Sequence, residues 1–372
     1  MPIPGYATLE ASQGYRERFK ERAVENHFRL EQNLWLSSIG IGTYLGNADE
    51  ITDERYADCV VHTVELGANL IDTAANYRFQ RSERSIGAAI RELTAGGEVS
   101  RDEIVVCTKG GYLPFDGGPP SDVRSYVEET FVRPGIAKLS DFVDGSHCMT
   151  PAYLQSQINQ SLVNMGLSTI DVYYIHNPES QLGSISVPEF EARLRSAFEL
   201  LELNIAEERI RMYGVATWSG FRVPSDDPGH LSLERIVEIA REVGGESHGF
   251  RFIQLPFNLA MPEALVLDNQ ALEGNLVSVL AAASALGTTV VASASIFQGR
   301  VARGLPEHIR ESLGSLATDA QTAIQFVRST PGITTALVGM SHVEHVEENL
   351  QLVRVAPAPP EVFQRLFGEE ET

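Results

Sequence analysis

Residues 69–77 read NLIDTAANY. The apolar pair Leu70-Ile71 runs straight into Asp72, and Tyr77 follows five residues later. A carboxylate at the end of an apolar strand is costly to bury unless a cation or hydrogen-bond donors meet it. What meets Asp72 is the first question this chain poses, and the answer depends on the segments around it.

Working outward, short apolar runs recur at 39–44, 69–74, 103–109, 171–176, 212–217, 252–256, 288–294 and 334–339. They lack internal polar alternation, as strands buried on both faces do. Helix-like stretches lie between them. Leu154, Ile158, Leu162 and Met165 share one helical face, as do Val343, Val346, Leu350 and Val353. Gly67, Gly166 and Gly287 stand just past such stretches, where a left-handed helix cap favours glycine. Alternating strands and helices predict a parallel sheet with an outer helical layer. Eight repeats predict an α/β fold of the (β/α)8 TIM-barrel type, over residues 33–355. The doubly wound alternative usually brings a G-x-G-x-x-G turn after its first strand, and GIGTYLGN does not fit that pattern. Residues 1–32 are read as an N-terminal extension with a charged surface helix over 14–28, and residues 356–372 as a C-terminal tail. Long insertions at 110–150, with a helix expected near 122–131, and at 299–317 would project from the C-terminal face, where barrels form pockets.

Composition narrows the function. The chain has 372 residues and a formal charge of −21, with no basic stripe, which argues against nucleic acid and anionic membrane surfaces as partners. Cys59, Cys107 and Cys148 form no paired framework, which suits a reducing compartment. The N-terminus MPIPGYATLE lacks a basic and an apolar signal region, and no apolar run approaches the ~20 residues that span a bilayer. The expectation is a cytoplasmic protein acting on a small molecule.

In a barrel the polar strand ends would gather at one mouth: Asp72, with Tyr77 in the next loop, then Lys109, His176 and Thr217, with Gln254 and Asn258 on and after the sixth strand. Each has a bland reading alone: a helix cap, a packed loop aromatic, a solvated strand end, a satisfied structural histidine. Together they carry complementary proton chemistry. An ammonium beside a phenol favours phenolate, so Lys109 is expected to lower the Tyr77 pKa from its usual ~10, with Asp72 keeping Lys109 charged. Tyr77 would then act as a general acid toward a developing alkoxide, and His176 would orient the carbonyl. Arg78, Arg81 and Arg84 could clamp an anionic substrate, although loop arginines on an acidic protein more often pair with surface carboxylates. Tyr44, Tyr112, Phe115 and Trp218 could form an apolar pocket wall. His147-Cys148 has no second pair at metal-ligand spacing, and no metal is expected.

At these residues the chain resembles the aldo-keto reductase superfamily, through LGANLIDTAANYRFQRSERSIG, VVCTKGG, LSTIDVYYIHNPE and ALVGMSHVEHVEENL. The resemblance implies a barrel that binds a nicotinamide cofactor, NADP(H) rather than NAD(H), and transfers hydride reversibly to a small-molecule aldehyde or ketone. It implies catalytic roles for Asp72, Tyr77, Lys109 and His176. It implies cofactor contacts from Thr43, Tyr44, Asp72, Thr217 and Gln254, and from Ser293, Ser295, Ile296, Gln298 and Gly299. Met340, Ser341, His342, Glu348 and Asn349 would surround the adenosine half, with the start of the last helix as a phosphate-binding end. Ala216 and Thr217 replace the usual serine and asparagine, and Ser293 replaces the tyrosine usually stacked on the nicotinamide, a place Phe257, Trp218 or Phe297 could fill. Gly339 and His345 stand where basic residues often sit. Those departures keep two other readings open, a cofactor-binding sensor or regulatory subunit and a redox-neutral epimerase that retains its cofactor.

Overall fold

The computed structural model describes residues 1–367, so residues 368–372 of the expected tail lie outside the described residues. In chain order, a hairpin of β1 (Phe28–Glu31) and β2 (Leu34–Ser37) leads into β3 (Ile39–Gly42), β4 (Leu70–Asp72), β5 (Val105–Gly110), β6 (Ile170–His176), β7 (Ile210–Ala216) and β8 (Phe250–Pro256). A second hairpin, β9 (Asp268–Leu272) and β10 (Asn275–Ser278), precedes β11 (Thr289–Ser293) and β12 (Ile333–Gly339). β3 to β8 with β11 and β12 close into a barrel, and the pairings between neighbours are parallel. The expected (β/α)8 barrel is the observed fold, and all eight expected runs are barrel strands, displaced by at most two residues at either end.

Helices α1 (Leu9–Arg18), α2 (Glu50–Glu65), α3 (Arg81–Ala95), α4 (Val123–Val127), α5 (Pro151–Met165), α6 (Val187–Ala206) and α7 (Leu233–Gly244) occupy the first two-thirds of the chain. They are followed by α8 (Glu263–Val266), α9 (Val279–Ala285), α10 (Glu307–Ser312), α11 (Asp319–Ser329), α12 (Val343–Asn349) and α13 (Glu361–Phe367). Gly67, Gly166 and Gly287 take the left-handed backbone expected of helix ends, at φ 103°, 65° and 67°. The apolar faces of the helices join the outward side chains of the strands, such as Ile71, Val106 and Ile175, in one large core.

The barrel interior has its own core, in which Leu70, Val105, Cys107, Val172 and Tyr174 pack with Leu34 and Leu36 of the first hairpin. Strand periodicity then sets what reaches the mouth. Alternate residues share a face, so Leu70 is followed by Asp72, Val105 and Cys107 by Lys109, and Val172 and Tyr174 by His176.

The N-terminal helix differs from expectation. It spans Leu9–Arg18 rather than 14–28, and Tyr15 and Phe19 are buried against Phe28, which opens β1. The charged positions of this stretch conceal an aromatic anchor. The 110–150 insertion contains α4, starting after an Asp122 cap, and packs Leu113, Phe131 and Phe142 with Tyr153 of α5 into a small separate core.

Candidate active site

Asp72 meets Lys109. Lys109 Nζ donates to Asp72 Oδ1 at 2.5 Å and to the Thr73 carbonyl at 2.8 Å, while Gln254 Nε2 donates to Asp72 Oδ2 at 2.8 Å. Both partners are buried, Lys109 to 1% exposure, so its bland reading as a solvated strand end fails. Burial alone would lower the Lys109 pKa, but Asp72 and Tyr77 outweigh it and leave the ammonium above its ordinary value. Burial lifts Asp72 against the opposing pull of Lys109 and Gln254. An ammonium starts some six units above a carboxyl, so the proton stays on Lys109 and the pair is ionic.

Tyr77 sits in the loop after β4, with Lys109 Nζ 4.9 Å from its ring centroid. Its ring makes edge contacts with Tyr44 at 4.9 Å and His176 at 5.8 Å. Lys109 pulls the Tyr77 pKa down as expected, by its charge and by a hydrogen bond, but it does not set the net direction. Burial is the largest effect and raises Tyr77 above the ordinary phenol value, and the Lys109 charge offsets only part of that rise. The consequence favours acid chemistry, because Tyr77 remains a protonated phenol at neutral pH.

The three residues after Tyr77 are backbone outliers. Arg78, Phe79 and Gln80 have φ of 47°, 59° and 69°, a left-handed turn that L-residues resist by roughly 1–2 kcal/mol each. The turn is held from outside: the Gln80 amide donates to the Pro114 carbonyl at 2.9 Å, and Arg78 donates to the Asn47 carbonyl and to Asp53. It also directs the arginines away from the mouth. Arg78 and Arg81 pair with Asp53, and Arg84 pairs with Asp116 at 2.7 Å. The three arginines form no anion clamp at the mouth, and the pairing with carboxylates stands, with Arg78 itself buried.

His176 ends β6 facing the mouth. Burial, with smaller contributions from Lys109 and His147, pushes its pKa well below the ordinary value and keeps the imidazole neutral. His147, from the 110–150 insertion, supports it. Gln181 Nε2 donates to His147 Nδ1 at 2.8 Å, which leaves the His147 Nε2 proton for the His176 carbonyl at 2.7 Å. Gly111 must be glycine here: its φ is +143°, and a Cβ would stand 2.8 Å from His147 Nε2.

These side chains open onto a cleft of about 710 Å³ lined by the ends of the barrel strands. Asp72, Tyr77 and His176 line it with Thr43, Tyr44, Thr217, Gln254, Ser293, Ser295, Ile296, Gln298, Gly299 and Ser341. The Aldo/keto reductase family model matches residues 38–223, half of the chain, a span that contains Asp72, Tyr77, Lys109 and His176. The chain belongs to the Aldo/keto reductase family. A putative voltage-gated potassium channel subunit beta of Schizosaccharomyces pombe is 23% identical over 94% of this chain and 94% of its own length. The NADH-specific methylglyoxal reductase of Escherichia coli is 26% identical over 50% of this chain and 49% of its own. Among solved structures, an aldo/keto reductase from Klebsiella pneumoniae in complex with NADP and acetate has the same fold, with a TM-score of 0.62 and 20% identity, covering 94% of this chain and 98% of that one.

Of the remaining residues singled out from this aldo/keto reductase's sequence, most lie outside the cleft lining. Met340 is buried in the core, and Asn349 is buried with its Oδ1 unpartnered among the described residues. Glu348 accepts from the Thr318 hydroxyl at 2.7 Å. His342 precedes α12 and is not among the cleft-lining residues, but its ring lies 5.5 Å from that of His345, which is. Asn258 is buried, donating to the Ala294 carbonyl at 3.0 Å. Phe257 stacks on Phe326 at 5.4 Å, away from the cleft, whereas Trp218 and Phe297 line it. Phe115 packs against Phe79 and Tyr126 instead of the cleft.

Three residues were missed by sequence reasoning. Asn76 and Asn177 line the cleft, the latter left-handed at φ 46° with its amide 3.3 Å from the Tyr112 hydroxyl. Glu179 is buried, and its Oε1 accepts main-chain N–H groups of Trp218, Ser219 and Gly220 at 2.7, 3.0 and 3.3 Å. Asn177 had a signal in its place between His176 and Pro178; Glu179 resembles any loop acid.

Proposed function

We propose that this aldo/keto reductase is a nicotinamide-dependent oxidoreductase that reduces an aldehyde or ketone reversibly to the alcohol, with Tyr77 as general acid. The observation that carries the reading is the neutral Tyr77 phenol, half-buried between the ionic Asp72–Lys109 pair and a neutral His176 at one cleft. A reduced nicotinamide, when bound, supplies the hydride that the carbonyl carbon takes. Tyr77 gives its hydroxyl proton to the carbonyl oxygen as negative charge develops there. The resulting phenolate faces the Lys109 ammonium, and Asp72 keeps that ammonium in place. His176, neutral and unable to give up a second proton at physiological pH, orients the same oxygen through its ring nitrogen.

The cleft suits a dinucleotide. Thr217 Oγ1 is buried without a partner among the described residues, and Gln254, whose Nε2 is used on Asp72, lines the same cleft with its amide oxygen, so that the two residues offer a donor and an acceptor for a carboxamide. Arg300 and Arg303, exposed on the segment after Gly299, form no ion pair among the described residues on a chain of charge −21. We read them as supporting NADP(H) over NAD(H), in line with the NADP bound by the Klebsiella neighbour, while the Escherichia coli relative is NADH-specific. No helix among the described residues is long and apolar enough to cross a membrane, which is compatible with the proposed cytoplasmic site of action on a small molecule.

The test is turnover of an aldehyde and ketone panel with NADPH and NADH, for wild type and Tyr77→Phe. The expected result is NADPH-dependent reduction that Tyr77→Phe lowers by about 10²–10⁴-fold. Undiminished turnover in Tyr77→Phe overturns the acid assignment. Cofactor binding without turnover of any carbonyl favours the second reading, a cofactor-binding regulatory subunit. The full-length match to a putative channel subunit beta supports that reading.

A further inference from the structure

The rim of the cleft divides by position around the barrel. β8, β11 and β12 contribute Gln254, the 293–299 segment and Ser341. The ends of β3 to β7 surround Tyr77 and His176 with Tyr44, Leu45, Tyr112, Asn177 and Trp218. We propose that this second half receives the body of the substrate and selects a neutral carbonyl compound with a planar apolar ring, against carboxylated or phosphorylated analogues. The inference rests on the reductase reading above.

Charge is the first argument. The cations nearest this half-rim are committed: Arg78 and Arg81 to Asp53, Arg84 to Asp116, and Lys109 to Asp72 and the Thr73 carbonyl, while the exposed Arg124, Arg133 and Lys138 of the 110–150 insertion do not line the cleft. Arg222, just beyond Trp218, pairs with Glu263 at 3.1 Å. The titratable groups that line this half are Asp72, already paired with Lys109, the phenols of Tyr44, Tyr77 and Tyr112, and His176. Glu179 lies behind Trp218 with its Oε2 unpartnered among the described residues, and His176 is held neutral by burial. An anion entering here would shed water without gaining a counter-charge. The chain's formal charge of −21 repels it at longer range.

Shape is the second. Tyr44 and Trp218 are 57% and 47% exposed, yet both line the cleft, so two large aromatic surfaces face its opening. Exposed apolar surface at a concave mouth marks a ligand wall. Trp218 is presented on a fixed main chain. Its N–H is held by Glu179 Oε1 at 2.7 Å, and its carbonyl accepts from Arg222 Nη1 at 2.9 Å. A rigid stacking surface binds a ring at low ordering cost. Glu179 is thus a positioning residue for Trp218 and touches no reacting atom.

The experiment measures kcat/KM with saturating nicotinamide for 4-methylbenzaldehyde, 4-carboxybenzaldehyde and propanal. The neutral aromatic aldehyde is expected to exceed its carboxylated analogue by about tenfold or more at low salt, with added salt narrowing the gap. Trp218→Ala, at an exposed position, is expected to lower the 4-methylbenzaldehyde-to-propanal ratio by about fivefold. Equal or better use of the carboxylated aldehyde overturns the charge selection. A ratio unmoved in both Trp218→Ala and Tyr44→Ala overturns the ring wall. If none of the three aldehydes turns over while another carbonyl of the wider panel does, the ring selection is overturned and the reductase reading stands; if no carbonyl of the panel turns over with NADPH or NADH, the reductase reading itself fails and takes the proposal with it.

Discussion

Two buried carboxylate–cation pairs stand at opposite ends of the same barrel. At the base, Asp171 near the start of β6 meets Arg101 at 2.7 Å, and Asp171 also accepts the Ala7 and Val106 N–H groups at 2.6 and 2.8 Å. Arg101 spends its remaining contacts on the Ile104 and Thr169 carbonyls at 2.7 and 3.0 Å. At the mouth, Lys109 meets Asp72 at 2.5 Å, but the pair borders a phenol, a neutral imidazole and an open cleft. The pairs share their chemistry and their burial and differ in what surrounds them. The base pair is closed on main-chain groups and ties the N-terminal segment to the barrel. The mouth pair keeps one side turned toward Tyr77, and only there can a fixed charge influence a reaction.

That contrast can be broken by substitution. Lys109→Met is expected to lower kcat by about 10²-fold or more, because the tyrosine then loses its phenolate support; a steady-state assay that finds kcat unchanged would remove the functional distinction between the two pairs. Arg101→Met is expected to cost about 3–5 kcal/mol of unfolding free energy by leaving Asp171 buried without its counter-charge. Its kcat per folded molecule should match wild type, as denaturant melts and active-site titration would establish. A lost kcat in Arg101→Met at full folding would mean that the base also serves the chemistry.

Acid stability sharpens the comparison next. Burial lowers the His147 pKa from 6.5 to about 4 in the folded chain. Below 6.5 the unfolded chain binds a proton that folded His147 refuses, so stability is full above that pH and falls as the pH drops toward 4. The loss is about 1.4 kcal/mol per pH unit. His27, lowered to about 3 with burial as its main cause, acts in the same direction. Urea melts of His147→Gln between these pH values should have a shallower acid limb. An unchanged limb would remove His147 from the account and with it the neutral support under His176. The smallest effect is expected at alkaline pH. With Tyr77 raised by burial, the reduction rate should show no downward inflection between about pH 7 and 9. An inflection near 8 would mean that Lys109 outweighs burial after all.

Much of this was readable from residue order. Apolar runs of strand length at regular spacing announced the barrel, and their polar ends placed Asp72, Lys109 and His176 at one mouth. Period-2 alternation along β5 and β6 is a local property, so a linear reading captures it. The N-terminal aromatic anchor escaped because Tyr15 and Phe19 sit among charges whose density masks a helix face. Glu179 escaped because its partners are main-chain N–H groups of residues 218–220, which carry no sequence signature. The fate of Arg78, Arg81 and Arg84 was also out of reach, since Asp53 and Asp116 are ordinary surface acids until the chain folds.

By itself the sequence determined the strand-and-helix rhythm, the family and which polar residues end the strands at the mouth, because these follow from local periodicity and from residue types in order. Tertiary structure alone decided the direction of the Tyr77 pKa, the turning away of the arginines and the closing of the base pair against the opening of the mouth pair. Each of those depends on how many atoms surround a group and on which side, and burial and Coulomb interaction act through space between residues far apart in the chain.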